Sequence, residues 1–575
     1  MGCWHFASSS RRQAGEGPTN SKRPMVDFVA PVYYEREAGT WGLHGPTLRV
    51  VQGDTVKLRL ANNLTRPHAS RGGVSTPLNG FTRVADTNNH AHGLHVWPGI
   101  ADQGAAAQYR GGDNILFSVP GKRHEGQHEL SREEYEVEVP DTHMPGMAWY
   151  HPHQHGSTTV QVPTANGLII VEGGPEWMPD SSGCREVREL KDAAPEQILH
   201  FQLLPFQPPE AEKPDGSPQW ANDRDDPNMQ VASKLYDPAN PLCCGEGAAK
   251  HEHFGGTATN RDLVLVNGHW QPRLAMQAGK FYRWRLAWAT PKRFATLMIL
   301  GADGRPAPCE MQLISKDGVY LMQIPRRVDH ALLAPGNRAE LFVKCSGAPG
   351  SRYTLRAQDP AVSPIGCSMG NTRQVVVQDL LTIDLKEGSG QQPSPRHRAC
   401  TPARAGYVAD LRDASLAAHG ATAKLTRIPL DFTFRDFGCL FNDKNFSFPD
   451  PDPLQLPLGS VVEWAASKLH GHPLHIHTNP FQLQELREEW LQEGCSFTSW
   501  FEAGDYHDTL MLPMVTRLSA PPVRMQPGEF TGYTVVHCHA LHHEDEGCMK
   551  VRTDWIDATG GLLLELTHHL PPCKA

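Results

Sequence analysis

A cysteine between two histidines, His537-Cys538-His539, places the strongest constraint on how this chain folds. On an extended strand successive side chains point to opposite faces, so the Cys538 thiolate points to one side and the two imidazoles to the other. The thiolate can then bind one metal ion while the imidazoles hold others. The tripeptide therefore predicts a β-strand that connects two metal sites.

Three further clusters repeat histidine at spacings that suit an extended chain. Two histidines separated by one residue point to the same face of a strand, so each such pair can bind neighbouring ions. Imidazoles combined with one thiolate favour copper over a hard cation. A structural zinc site is closed by four ligands and would not need ten histidines. The clusters are His90-Ala91-His92-Gly93, His151-Pro152-His153 and His472-Pro473-Leu474-His475-Ile476-His477.

The order of these clusters resembles the multicopper oxidases, the family of laccases, bilirubin oxidases and metallo-oxidases. HxHG and HxH near the front are followed by HPxHxH and HCHxxxH near the end. Residues 87–96, 504–509 and 523–537 are similar to the family's flanking segments. The resemblance covers nearly all of the chain after residue 25 and implies an all-β fold of three cupredoxin-like Greek-key β-barrel domains.

The resemblance also implies four copper ions per chain: one type 1, one type 2 and two type 3 ions. The implied type 1 ligands are His472, Cys538 and His543. The other eight imidazoles would form a trinuclear cluster between the first and third domains. Its implied ligands are His90 and His475 for type 2, His92, His151 and His539 for one type 3 ion, and His153, His477 and His537 for the other.

One position departs from the family pattern. Ten residues after the type 1 cysteine, where the family usually has an axial methionine or an apolar residue, this chain has Cys548, followed by Met549. The axial ligand tunes the reduction potential of such a site. We expect Cys548 to be a thiol with little or no bond to copper; a true ligand is the alternative. Met549 is disfavoured because a shift by one residue turns a side chain to the other face of a strand.

Carboxylates matter because reducing dioxygen to water consumes protons. Glu544 resembles a family residue on the proton route, and either Asp102 or Asp113 is the second candidate. For each aspartate a plain surface role is the competing interpretation. His95 and His155 exceed the family's ligand count, and we expect them to hydrogen-bond and orient ligands instead.

The function implied by the resemblance is a laccase-like copper oxidoreductase that takes single electrons from phenols or aromatic amines and reduces dioxygen to water. Phenols suit such transfer because their radicals are resonance-stabilised. A metallo-oxidase of Cu(I), Fe(II) or Mn(II) is the alternative; it would need an acidic or methionine-rich approach, and the 15 methionines show no such cluster. A copper-binding relative without catalysis is a further alternative.

Composition excludes several other classes. A net charge of -9 gives no basic footprint for nucleic acid. No apolar run approaches the roughly 18 residues of a membrane-spanning helix, so we expect a soluble protein. Abundant glycine (52) and proline (48) favour many short strands joined by turns. The family resemblance implies a small-molecule or metal-ion electron donor and dioxygen as partners; the sequence does not indicate an oligomeric state.

Patterning divides the chain into three units. We predict a disordered tail at 1–25, units at 26–174, 196–385 and 423–574, and a linker at 386–422. The resemblance implies that the three units are cupredoxin domains and that the middle one carries no copper. Residues from about 205 to 256, rich in proline, aspartate and glycine, read as an inserted loop in the middle domain.

Cysteine usage bears on the compartment. The total of 13 is odd, Cys538 is assigned to copper, and the others are candidates for disulfides in an oxidising compartment, without a readable connectivity. The first residues lack the apolar core of a secretory signal. The family resemblance favours secretion or another oxidising compartment.

Overall fold

The computed structural model describes residues 3–9, 30–35, 40–64, 85–99, 112–122, 129–206, 211–212, 218–219, 261–359, 363–366, 377–388, 390–418, 425–435, 438–466, 472–513 and 521–555. Strands dominate these residues and the helices are short, so the predicted all-β class is confirmed. No helix in the described part is long and apolar enough to cross a membrane.

The described strands of the first unit are β1 Cys3–Ser9, β2 Ala30–Glu35, β3 Thr40–Gly42, β4 Leu48–Val51, β5 Thr55–Asn62, β6 His90–His92, β7 Ser131–Glu138, β8 Gly146–His151 and β9 Gly167–Glu172. They form one sheet in the order β3-β2-β1-β5-β7 and a second in the order β4-β9-β8-β6. In β7 exposed and buried side chains alternate, as expected for a strand with one face toward water. Within the segment predicted as a disordered tail, β1 pairs with β2 and β5, and the rest of that segment lies outside the described residues.

The described strands of the middle unit are β10 Glu196–Phe206, β11 Ala211–Glu212, β12 Pro218–Gln219, β13 Arg261–Val266, β14 His269–Trp270, β15 Arg273–Gln277, β16 Phe281–Trp288, β17 Ala295–Leu300, β18 Cys309–Lys316, β19 Val319–Tyr320, β20 Arg326–Val328, β21 Ala331–Leu333, β22 Arg338–Cys345, β23 Arg352–Gln358 and β24 Gln378–Lys386. One sheet runs β14-β13-β10-β16-β22-β18-β19, with β20 added on β18, and the other runs β15-β24-β23-β17-β21. Every residue of β16 and β22 is buried, so this part of the first sheet is covered on both faces. The predicted insertion falls mostly outside the described residues; β11 and β12 form a short hairpin within it.

The described strands of the third unit are β25 Leu425–Leu430, β26 Phe432–Arg435, β27 Gly438–Phe441, β28 Leu454–Pro457, β29 Val461–Ala466, β30 Leu474–Ile476, β31 Phe481–Leu483, β32 Tyr506–His507, β33 Thr509–Leu510, β34 Val523–Met525, β35 Gly532–Cys538 and β36 Met549–Trp555. Two five-stranded sheets run β25-β29-β34-β31-β32 and β28-β36-β35-β30-β33, and β26 pairs with β27 as a separate hairpin. The third unit thus repeats the two-sheet arrangement of the others.

The α-helices in the described residues lie in connections between strands. They are α1 Thr158–Gln161, α2 Ser182–Ala193, α3 Asp413–Ala418 and α4 Leu541–Asp545. At the start of α2 the Ser181 hydroxyl accepts a hydrogen bond from the Cys184 amide, which satisfies a backbone donor that the helix leaves without a partner. A disulfide from Cys184 to Cys400 ties this helix to the segment that leads into the third unit.

Candidate metal centre

Strand pairing aligns the histidine clusters within each terminal unit. In the first unit β6 and β8 run antiparallel with His90 opposite His151. In the third unit β30 and β35 run antiparallel with His475 opposite His537. Residues directly opposite on an antiparallel pair lie about 5 Å apart, so each pairing brings two clusters that are distant in sequence into direct contact.

The first and third units are in contact, and eight imidazoles converge at the interface between them. The Nε2 atom of His537 lies 3.1 Å from Nε2 of His153 and 3.1 Å from Nε2 of His477. The rings of His92 and His475 stack with centroids 3.8 Å apart. Each of the eight side chains is at most 2% exposed: His90, His92, His151, His153, His475, His477, His537 and His539.

Hydrogen bonds from outside orient several of these rings. The Nδ1 atom of His90 donates to the Asp113 carboxylate at 2.6 Å, and Asp113 also accepts from the amide of Ala91 at 2.7 Å. Nδ1 of His151 donates to the carbonyl of Pro152 at 2.9 Å. A backbone carbonyl or carboxylate on one ring nitrogen fixes the tautomer and leaves the other nitrogen with its lone pair toward the interior.

Several ring nitrogens of the cluster have no hydrogen-bond partner among the described residues. This holds for Nε2 of His90, His151 and His475 and for Nδ1 of His92 and His153. A buried polar atom without a partner costs free energy, and so many in one dry space require an explanation. Convergent imidazole lone pairs are the donor set that copper prefers, so the residues fit the metal that the sequence predicts.

The protonation of the cluster supports the same interpretation. Burial, together with the neighbouring imidazoles, lowers the pKa of the ring nitrogens well below the ordinary value for histidine, and that of His539 to about 3. Neutral imidazole is the form that binds a metal. The other rings with a lowered pKa are His92, His151, His153, His475, His477 and His537.

A second, smaller site lies within the third unit. The Cys538 Sγ atom lies 3.4 Å from His472 Nδ1 and 3.5 Å from His543 Nδ1. Cys538 ends β35, His472 lies just before β30, and His543 is in α4. Two imidazoles and one thiolate at this spacing match a trigonal His2Cys copper site. Because His537 and His539 flank Cys538, a few covalent bonds connect this site to the imidazole cluster.

The prediction that Cys548 carries a thiol is wrong. Cys548 forms a disulfide with Cys439 of β27, and a disulfide sulfur has no thiolate to offer a metal. The two sulfurs nevertheless lie close to His472, with the three possible ligand atoms within 4.8 Å of one another. The sequence could not show this pairing because the partner lies on a hairpin 109 residues earlier.

The middle unit closes the third side of the imidazole cluster. Gly336 has φ +88°, and a Cβ atom added there would lie 3.0 Å from ring atoms of His539 and His92, so only glycine allows this approach. The neighbouring Arg338 side chain is 1% exposed. It donates two hydrogen bonds to Asp508, at 2.8 and 2.6 Å, and one to the carbonyl of Met147 at 3.0 Å. One guanidinium from the middle unit therefore links the first and third units beside the cluster.

The families that match this chain agree with the arrangement of its histidines and Cys538. Two family models, both described as Multicopper oxidase, match residues 421–554 and 232–378. The chain belongs to the multicopper oxidases. Membership of the family implies a copper-binding oxidoreductase that uses a reducing substrate and dioxygen.

Known multicopper oxidases resemble the chain over most of its length. A laccase of Bacillus stratosphericus is 23% identical over 540 residues, covering 88% of both proteins. The crystal structure of the McoA multicopper oxidase from the hyperthermophile Aquifex aeolicus aligns with a TM-score of 0.59 and 18% identity, covering 96% of this chain and 95% of the other. A metallo-oxidase of Campylobacter jejuni aligns with a TM-score of 0.56 and 17% identity, covering 96% and 90%. These likenesses confirm the predicted fold of three cupredoxin-like domains.

The carboxylates predicted from the sequence fall in different places in this multicopper oxidase. Glu544 is buried at the third-unit side of the cluster, where its Oε1 accepts a hydrogen bond from His155 Nδ1 at 3.0 Å. Burial raises the pKa of Glu544 to about 8. Asp113 lies against His90, whereas Asp102 lies outside the described residues. His95 donates from Nδ1 to the carbonyl of Thr478 at 2.9 Å, and its amide donates to a neighbouring imidazole.

Sequence reasoning missed the residues that hold the domains of the oxidase together at the cluster. The carboxylate of Asp545 accepts hydrogen bonds from the amides of Gly156 and Thr159, at 2.7 and 2.9 Å, across the interface between the first and third units. Asp508 stands in a segment that resembles the family, but no spacing in the sequence pairs it with Arg338. The available sequence signal for Asp545 was its position directly after the candidate Glu544.

Proposed function

We propose that this multicopper oxidase is laccase-like. When bound, four copper ions would supply the redox chemistry that couples one-electron oxidation of phenols or aromatic amines to the four-electron reduction of dioxygen to water. The single observation that carries the proposal is the pair of donor sets joined at Cys538: a His2Cys site on one side and eight buried imidazoles on the other.

The ligand roles in the proposal follow the predicted assignment. His472, Cys538 and His543 would hold the type 1 ion. The group of His153, His477 and His537, whose ring nitrogens lie within 4.8 Å of one another, would hold one type 3 ion. The remaining ions would bind to the type 2 pair His90 and His475 and to the second type 3 set, His92, His151 and His539.

The donor would meet the protein at His543. His543 is only half-buried, whereas His472 is 3% exposed and Cys538 is fully buried. The His543 ring is thus the part of the small site that an aromatic molecule can approach. Such transfer needs close contact and no bond to the protein, so a broad range of phenols would be accepted.

Two carboxylates beside the imidazole cluster are candidates for proton delivery. Glu544 would carry its proton at neutral pH, because burial raises the pKa of its carboxyl to about 8, and would deliver it from a position hydrogen-bonded to His155. Asp113 would hold His90 in orientation through the bond to Nδ1. Asp102 stays an alternative to Asp113 for proton delivery.

The test is a copper analysis combined with absorption and electron paramagnetic resonance spectra, followed by oxygen uptake. About four coppers per chain, an intense blue band and uptake with a simple phenol are the expected results. Cys538→Ser is the matched control, because it removes the thiolate and should abolish the band. Uptake with Fe(II) or Cu(I) but not with the phenol would replace the laccase-like assignment with a metallo-oxidase. A loaded protein that consumes no oxygen with any donor would contradict both.

The compartment enters as part of the proposal. Disulfides such as Cys184–Cys400 and Cys309–Cys345 support an oxidising environment, because such bonds are rare in compartments where thiols are kept reduced. We therefore propose that the protein acts in a secreted or otherwise oxidising location. Fractionation of the producing cells, with non-reducing peptide mapping of the isolated protein, tests it.

A further inference from the structure

A disulfide lies directly beside the small His2Cys site. Cys439, on the β26–β27 hairpin, is joined to Cys548, just before β36. Both residues are fully buried. Their sulfurs and a ring nitrogen of His472 lie within 4.8 Å of one another. His472 therefore faces two sets of sulfur atoms: the thiol of Cys538 and the disulfide.

The backbone holds each half of this disulfide in place independently of the S–S bond. The amide of Cys548 donates to the carbonyl of His543 at 2.8 Å, and its carbonyl accepts from the amide of Cys538 at 3.0 Å. The amide of Cys439 donates to the carbonyl of Glu546 at 3.3 Å. Opening the disulfide would therefore leave both sulfurs next to His472.

Reduction would change what these sulfurs can bind. A dithiol reductant exchanges with the disulfide, so that Cys439 and Cys548 each gain a hydrogen and the reductant closes into its own cyclic disulfide. The two electrons come from the dithiol. Thiolates are soft ligands that favour Cu(I), Zn²⁺ or Cd²⁺, and each thiol releases its proton when it binds such a cation.

We propose that Cys439, Cys548 and His472 form a second metal site that is available only when the disulfide is reduced. The site would take a soft cation through two thiolates and one imidazole. Because His472 belongs to both donor sets, occupation of the second site would remove a ligand from the His2Cys site. The disulfide would thus decide which metal chemistry occurs at this end of the molecule. The inference concerns metal binding and does not depend on turnover with a phenol.

The first test asks whether the disulfide opens in the folded protein. The full-length protein is treated with dithiothreitol under native conditions without oxygen, and the reaction is quenched in acid. The protein is then freed of reductant, unfolded, alkylated with iodoacetamide at neutral pH and mapped by mass spectrometry. Circular dichroism on the same sample checks that the fold persists. We expect alkylated Cys439 and Cys548 in protein that is still folded. If these two cysteines are reduced only in samples whose circular dichroism shows that the protein has unfolded, the proposal is wrong.

The second test detects the metal site without the Cys538 thiolate. In the Cys538→Ser variant, freed of copper and of reductant, cadmium is added and the ultraviolet charge-transfer absorption of cadmium thiolate is recorded. The eight imidazoles bind cadmium without this band. We expect the band only after dithiol treatment, with an intensity of about two thiolates per ion.

Variants that lack one disulfide or the other show which cysteines produce the band. Adding Cys439→Ser and Cys548→Ser to the Cys538→Ser background should abolish it. Adding Cys309→Ser and Cys345→Ser, which remove a disulfide across β18 and β22 far from His472, should leave it unchanged. A band that survives the first pair of substitutions would overturn the assignment. Because the mapping experiment uses the unmodified chain, the proposal can be refuted even if a serine variant does not fold.

Discussion

The two donor sets of this protein are built in different ways. The His2Cys site lies entirely within the third unit, between His472 before β30, Cys538 on β35 and His543 in α4. The imidazole cluster draws half of its ligands from each terminal unit, and the middle unit closes it through Gly336. One site depends on the folding of a single domain, whereas the other depends on how three domains dock.

The difference shows where each site is vulnerable. Docking at the cluster relies on buried charged contacts between units, such as Arg338 with Asp508 and Asp545 with the amides of Gly156 and Thr159. Breaking a buried charge pair is costly because one charge is left without a partner. The three ligands of the His2Cys site, in contrast, all come from the third unit. Changes at the domain interface should therefore separate the two sites experimentally.

The largest expected effect comes from Cys538, which connects the two sites. Cys538→Ser should remove the blue band and all oxygen uptake with a phenol, because the only thiolate ligand of the His2Cys site is lost. The cluster should still bind copper, since its eight imidazoles are unchanged. Copper analysis and electron paramagnetic resonance check this outcome; loss of all copper would mean that the two sites assemble as one.

Arg338→Leu should weaken the cluster and spare the small site. Removing the guanidinium leaves Asp508 buried without its partner, which should lower the free energy of unfolding by about 3–5 kcal/mol. Urea denaturation measures this loss, and the spectrum of the loaded variant should keep the blue band while losing cluster copper.

Arg326→Leu is the matched control for this prediction. Arg326 also joins the middle unit to the third, with two hydrogen bonds to buried Asp505 at 2.8 and 2.6 Å, but it does not touch a cluster histidine. It should destabilise the protein to a similar extent and leave the cluster spectrum intact. Equal spectral changes in both variants would show that the loss of copper from the cluster follows from general destabilisation of the protein.

A smaller effect is expected at Asp113. Asp113→Asn weakens the hydrogen bond that orients His90, so copper affinity at the cluster should fall by about 10–100-fold. The position of the blue band should not move. Competition with a copper chelator measures the affinity, and Asp54→Asn, on an exposed turn of the same unit, serves as the control. An unchanged affinity would remove Asp113 from the set of positioning residues.

The smallest effect on either site is expected from a middle-unit ion pair. Arg283 and Arg285 lower the pKa of buried Glu340 from 4.5 to about 2. A depressed carboxyl pKa stabilises the fold at pH values above 4.5, and this stabilisation is lost as the pH falls toward about 2. Glu340→Gln should cost about 3 kcal/mol near pH 7, and the difference from the unmodified protein should shrink toward pH 3.

Urea denaturation at several pH values measures this dependence. The blue band and the copper content of Glu340→Gln should match those of the unmodified protein near pH 7, because the pair touches neither site. A stability difference that stays constant between pH 7 and pH 3 would contradict the assignment to Glu340.

Much of the small site was predictable because it depends on local chain geometry. Strand alternation around Cys538 places the thiol and the flanking imidazoles on opposite sides, and the structure follows this pattern. The environment of the thiol was not predictable, since Cys439 approaches Cys548 from a hairpin far away in sequence. The expectation of a thiol at Cys548 failed for that reason.

The sequence by itself determined the family resemblance, the all-β class and the set of candidate ligands, because the motifs that carry them are local in the chain and strand geometry has a period of two. Only the tertiary structure decided what surrounds those residues. Arg338, Asp508 and Asp545 act across domain interfaces, and the Cys439–Cys548 disulfide joins a hairpin to a sheet. Such contacts depend on how units dock in three dimensions, and no spacing along a single chain encodes that docking in a readable form.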